Sequence, residues 1–208
     1  MRIDSLKTAP DRAGRYWVVF SDGSKLGLYR QTVEDFGLYT GMELSEVEFE
    51  KLKTAAGQMS AKMRAVRIVS ASSISRRDLE ERLVRKGEDP SQAKEVVRWM
   101  EDLHLVNDRN TAEQVVHSCI SKGYGLQRAK QALYEKRIPK EYWEDALSDY
   151  PDQSEKIESF LRSRLDADSD DREVKKAIDA LLRRGHSYGT IRRVLNDLSY
   201  ETEDYFED

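Results

Sequence analysis

The chain has 208 residues, 38% hydrophobic and 36% charged, with a formal net charge of -4 and a single cysteine. That length carries one large or several small domains, and so much charge suits small helical bundles better than one thick core. One cysteine, Cys119, excludes an internal disulfide, no apolar run reaches membrane-spanning length, and no apolar signal region opens the chain, so a reducing, cytoplasmic setting is expected.

The opening third predicts a small β subdomain over residues 1–60. Tyr16, Trp17, Val18, Val19 and Phe20 are aromatic or β-branched, Ser21-Asp22-Gly23-Ser24 is a turn signal, and Leu26, Leu28 and Arg30 alternate beyond it. A further strand near Ile3 to Leu6 is expected to pair with this hairpin, which would be marginal alone. Val33, Phe36, Leu38 and Tyr39 predict a short helix ended at Gly37 or Gly41. A helix then starts at Ser45, covers Val47, Phe49 and Leu52, and is expected to be interrupted at Gly57.

From Ala61 the chain repeats itself. Three segments align without gaps, placing Val66, Val116 and Ile178 in register, then Val69, Cys119 and Leu181, then the break residues Ser75, Gly125 and Ser187. Beyond each break come Leu79, Ala129 and Ile191, then Leu83, Leu133 and Leu195. The spacing of four and eight puts each apolar set on one helix face, so a helix-turn-helix unit is duplicated. Ser75 with Asp78, and Asp170 with Glu173, have the spacing of capping boxes, and Gly87 and Gly185 are helix stops. Asp89-Pro90 opens a third helix whose Val96, Val97, Met100 and Leu103 face inward. Pro139 opens another with Tyr142, Trp143, Ala146 and Leu147, and Ile157, Phe160, Leu161 and Leu165 mark an amphipathic helix before the third copy. The expected organisation is repeat 1 over residues 61–107, repeat 2 over 108–150, and a linker helix, repeat 3 and acidic tail over 151–208. The fold class is mainly α, with three tandem three-helix repeats in an elongated, curved molecule.

Catalytic signals are weak. No phosphate-binding or dinucleotide glycine motif is present, and His104, His117 and His186 lie too far apart for a local zinc motif. Asp166, Asp168 and Asp170 resemble a calcium loop, but Asp171 stands where glycine is needed and Ala177 where a bidentate glutamate is needed. No cofactor, metal or catalytic residue is expected.

Net charge is uneven: -1 over residues 1–60, +5 over 61–137 and -8 over 138–208. Bases cluster around the repeat turns: Arg76, Arg77, Arg82, Arg85 and Lys86; Lys122, Arg128 and Lys130; Arg183, Arg184, Arg192 and Arg193. At helix ends, guanidinium and ammonium groups could reach phosphates or carboxylates, so these residues and Tyr124 are the candidate contacts. Tyr124 and Tyr188 are expected to pack at the turns rather than stack on bases.

At these residues the chain resembles the RecX family of bacterial RecA regulators. The matching pieces are Ser75-x-x-Asp78-Leu79-x-x-x-Leu83-x-x-Lys86-Gly87, then Leu105-Val106-Asn107-Asp108-x-x-x-Ala112 and Lys122-Gly123-Tyr124-Gly125-x-x-x-Ala129-x-x-x-Leu133. The last is Leu182-Arg183-Arg184-Gly185-His186-Ser187-x-x-x-Ile191-x-x-Val194-Leu195, so the likeness covers about residues 61–198. The chain departs from the family at Ser72 and Ile74, where a basic residue is usual, and at His186, where an aromatic is usual. The resemblance implies a non-enzymatic, monomeric protein that lies along the groove of the RecA filament on single-stranded DNA. It would block filament growth or promote disassembly, lowering ATP hydrolysis and strand exchange in recombination, repair and the SOS response. The alternative is a helical-repeat module that binds single- or double-stranded nucleic acid directly.

Overall fold

Period-two alternation in the opening third builds three antiparallel strands, β1 (Ile3–Leu6), β2 (Arg15–Phe20) and β3 (Lys25–Tyr29), in the order β1-β2-β3. Val18 opposes Leu26, Tyr16 opposes Leu28, and Ile3, Val18, Phe20 and Leu28 bury one face. The computed structural model describes residues 1–166, 168–198 and 200, and its chain divides into two units, residues 1–106 and 107–208.

In the first unit, helix α1 (Arg30–Asp35) ends before Gly37, whose φ of +57° suits glycine. Helix α2 (Glu46–Ala71) opens with a complete capping box between Ser45 and Glu48 and runs 26 residues without a break. The expected interruption at Gly57 does not occur. A β-carbon there would stand 2.8 Å from the side-chain oxygen of Gln92, the flexible end of a side chain from a later helix, so α2 passes through this glycine without ending and only that side chain lies against it. Leu52 and Ala56 complete the core under the sheet, whereas Ala61 and Ala65 belong to the next core, with Leu79, Leu83 and Met100.

That second core joins α2 to α3 (Arg76–Arg85) and α4 (Pro90–Asp102). Two inward assignments fail here. Val66 is 36% exposed because α2 turns its small residues Ala61 and Ala65 to the core. Leu103 is 48% exposed because α4 has already ended, and the chain reverses at His104 with φ +56°.

The second unit holds α5 (Asp108–Ser121), α6 (Leu126–Glu135), a 3-10 turn (Lys140–Tyr142) and α7 (Trp143–Leu147). These share a core of Ala112, Val116, Leu133 and Ile138. Helices α8 (Ser154–Arg162), α9 (Asp171–Arg183) and α10 (Tyr188–Asp197) share another, with Ile157, Leu161, Ile178, Leu181, Ile191 and Leu195. Here the third helix precedes the repeated pair instead of following it. The aligned apolar positions agree closely: Leu79, Ala129 and Ile191, and Leu83, Leu133 and Leu195, are all 0% exposed. Apart from Tyr200, the expected acidic tail from Ser199 to Asp208 lies outside the described residues.

Candidate interaction surface

The three turns solve one problem in two ways. A helix begins with backbone N–H groups that have no partner within the helix. Ser75 Oγ accepts from Asp78 N at 3.2 Å and Ser187 Oγ from Thr190 N at 3.1 Å, so α3 and α10 are capped by their own serines. Gly125 has no side chain to offer. Instead Gly125 N–H donates to Arg184 O at 2.9 Å and Gln127 N–H to Gly185 O at 3.2 Å, so carbonyls at the end of α9 cap α6. A β-carbon on Gly125 would lie 2.1 Å from Gly185 O, and one on Gly185 would lie 2.2 Å from Arg128 N. The two backbones therefore meet at a distance that only glycine permits on either side.

Side chains tie the same joint. His186, 7% exposed, lies with Nε2 3.1 Å from Gly123 O, and the Tyr150 hydroxyl donates to Tyr124 O at 2.7 Å. Burial pushes the His186 pKa down from its ordinary 6.5, so a neutral ring whose Nε2–H donates to Gly123 O fits the bond. Burial also pushes the Tyr150 phenol up from 10 to about 12.

This joint brings several basic candidates together and adds two that sequence reasoning missed. Burial raises the Cys119 pKa, Glu135 adds to the rise, and the positive charges of Arg128 and Lys122 oppose it. Lys156 lays its stem over Gly123, where a β-carbon would be 3.3 Å from its own. Four residues on, the ring of Phe160 has the guanidinium groups of Arg184 and Arg164 at 4.6 and 5.5 Å. Lys122, Lys156, Arg164 and Arg184 are exposed. Lys156 and Arg164 escaped notice because they lie outside the repeat, on and just after α8.

Other candidates are held by acids. Arg82 bonds Asp78 through two nitrogens at 2.9 and 3.1 Å, Arg76 pairs with Glu101 and Arg77 with Glu81. Arg128 pairs with Glu135 at 3.0 Å, and Arg193 reaches Asp152 at 2.9 Å and Ser154 at 2.7 Å. Arg85, Lys86 and Arg183 are exposed, as is Arg192, while Lys130 and Tyr124 are half-buried. Tyr188, expected to pack at its turn, is 57% exposed because it begins α10 on the outer face. Among the described residues, no helix is long and apolar enough to cross a membrane.

The fold and this surface define a class: tandem three-helix repeats whose turns carry bases, the second and third of them locked together through backbone. Residues 107–147 match the model of the RecX second three-helix domain. The chain is 27% identical over 203 residues to the regulatory protein RecX of Clostridioides difficile, spanning 95% of this chain and 94% of that one. It is 24% identical over 155 residues to the regulatory protein RecX of Vibrio parahaemolyticus, covering 73% of this chain and 98% of that one. The crystal structure of RecX from Lactobacillus salivarius matches 70% of this chain and 98% of its own with a TM-score of 0.60 at 26% identity. A second RecX crystal structure, 22% identical, matches the fold over 94% of this chain and 98% of its own with a TM-score of 0.61. In the matched domain, in these relatives and in the solved structures, the chain is similar to RecX proteins.

Proposed function

We propose that the protein is a non-enzymatic regulator that binds the RecA recombinase filament on single-stranded DNA. It restrains filament growth or promotes disassembly, and so lowers DNA-dependent ATP hydrolysis and strand exchange. In this reading it works as a monomer in the cytoplasm, and any contact with single-stranded DNA is secondary. The observation that carries the reading is the joint between repeats 2 and 3, where exposed Lys122, Lys156, Arg164 and Arg184 gather beside a rigid backbone lock. Such a set meets carboxylates or phosphates on a filament, which is anionic where DNA is exposed.

The test is the DNA-dependent ATPase of RecA with the protein added. The unaltered protein is expected to depress it, and a Lys122→Glu/Lys156→Glu double variant should depress it far less. Both lysines are exposed, so folding stability should change by only about 0.5 kcal/mol or less per site. Full inhibition by the double variant would remove this patch from the contact surface. The same bases favour a second reading, direct binding of single-stranded DNA. Its mark would be appreciable binding without RecA at physiological salt, lost steeply as salt rises.

A further inference from the structure

The four exposed bases of the joint, Lys122, Lys156, Arg164 and Arg184, pair with no carboxylate among the described residues. The carboxylates around them are engaged elsewhere: Glu135 with Arg128, Glu158 with Arg162 at 2.8 Å, and Asp152 with Arg193. Glu155 is exposed but stands about 100° round α8 from Lys156. Lys156, Phe160 and Arg164 recur at every fourth position and so share one side of α8 and its end, where Arg184 joins them over the Phe160 ring. Lys122 adjoins Gly123, under the Lys156 stem. Such a cluster repels itself until an anion joins it.

The chain leaves α10 close by. Tyr200 N–H donates to Leu195 O at 3.1 Å, the Tyr200 hydroxyl donates to Asp166 O at 3.0 Å, and Tyr200 packs on the core of α8, α9 and α10. Asp166 is only two residues beyond Arg164. The residues after this anchor, Glu201-Thr202-Glu203-Asp204-Tyr205-Phe206-Glu207-Asp208, hold five acids and no base. Eight extended residues span at most about 26 to 29 Å. Lys156 lies about 12 Å before Arg164 along a helix, so the segment is long enough to pass Arg164 and reach Lys156. The exposed Asp166, Asp168 and Asp170 precede α9 whereas Arg184 follows it, so repulsion from the one end and attraction to the other both drive an acidic segment toward the bases. Tethering raises the local concentration of its carboxylates to the order of millimolar, ahead of any free anion. Tyr205 and Phe206 add rings of the kind that Arg164 and Arg184 already cover at Phe160.

We propose that residues 201–208 of this chain occupy the cluster of Lys122, Lys156, Arg164 and Arg184 in the unbound protein and are displaced when the cluster meets its partner. The occupancy stands on charge, reach and the Tyr200 anchor. The identity of the displacing partner as the RecA filament rests on the reading above.

A zero-length carbodiimide cross-linker joins a lysine amine only to a carboxylate in contact with it, so the full-length protein reports the occupancy without RecA. Mass spectrometry should find Lys156 or Lys122 joined to an acid among residues 201–208 of the same molecule. Links from that segment only to other lysines, links only between molecules in a mixture of isotope-labelled and unlabelled protein, or no links from it overturn the proposal. Displacement is read with a variant carrying Glu201→Gln, Glu203→Gln, Asp204→Asn, Glu207→Gln and Asp208→Asn, which keeps the length and removes the charge. A segment that covers the cluster in about nine molecules of ten lowers the apparent affinity for the filament about tenfold, so the variant should halve the RecA ATPase at about one tenth of the parent's concentration. Equal inhibition by parent and variant overturns the displacement. If neither inhibits, the regulator reading fails, and the cross-links still decide the occupancy.

Discussion

The turns of repeats 1 and 2 occupy the same place in the helix-turn-helix pattern, one in each half of the chain, and are stabilised by opposite means. Ser75, fully buried, caps its helix from its own side chain, so repeat 1 finishes its turn by itself. Gly125 contributes only backbone and borrows carbonyls from Arg184 and Gly185, so the turn of repeat 2 is finished by repeat 3. A duplicated unit can thus keep its core positions unchanged while its breaks specialise, one for self-sufficiency and another for docking. The residue that reads as the weaker cap in the sequence is the one that joins two repeats.

The shared cores set the largest expected effects. Leu83→Ala, Leu133→Ala and Leu195→Ala each empty a site that is 0% exposed and should each cost about 2 to 5 kcal/mol in denaturant unfolding. If one of the three were silent, the equivalence of the repeats would fail at that copy. The glycine substitution separates the turns. Gly125→Ser installs the capping residue found in both other repeats, yet its β-carbon would sit 2.1 Å from Gly185 O. It should therefore destabilise by about 1 to 3 kcal/mol, as overpacking does. A rise in stability would mean that the joint yields easily. Ser75→Ala is expected to cost about 1 kcal/mol, the usual value of a lost N-cap.

A smaller effect comes from pH, and it should strike the joint and spare the turn of repeat 1. Burial lowers the His186 pKa in the fold, so the unfolded chain takes up the proton first. Stability then falls as pH drops below the ordinary value of 6.5 toward the lowered one. Tyr150 works at the other end: its phenol is held neutral in the fold up to about 12, so stability falls as pH rises from 10 toward 12. Melting curves of the parent and of His186→Gln between pH 5 and 8, a window set by the unperturbed histidine pKa of about 6.5, would check the acid limb. The variant should lose that limb, and an unchanged slope would place the titration elsewhere.

Much of this was legible because helix periodicity is a local property. Leu79, Leu83, Leu133 and Leu195 announce their burial through spacing alone, and Gly23 its turn through its neighbours. What escaped depends on contacts between distant residues. Gly57 looks like a break unless Gln92 is known to lie against it. Arg193 looks available until Asp152, 41 positions away, is brought beside it. Asp11 shows no motif, yet it accepts from two backbone N–H groups, the Arg15 guanidinium and the Trp17 indole, and its carboxyl is held at about 2. Tyr188 was misplaced because its register position suggested packing, whereas the first turn of α10 points it outward. Of the candidate bases, the sequence located the clusters, but it could not tell those held by acids from those left on the surface.

The unbroken α2 has a consequence for how the first unit comes apart. Its first half is a wall of the sheet core and its second half a wall of the repeat 1 core, and the helix runs through Gly57 between them without a break. A helical segment that loses its packing frays, because helices of this kind draw most of their stability from tertiary contacts. Opening either core would therefore strip the support from the adjoining turns of the other. The amide hydrogens of Leu52 and Ala65, which belong to different cores, should exchange with solvent through one common opening and at similar rates.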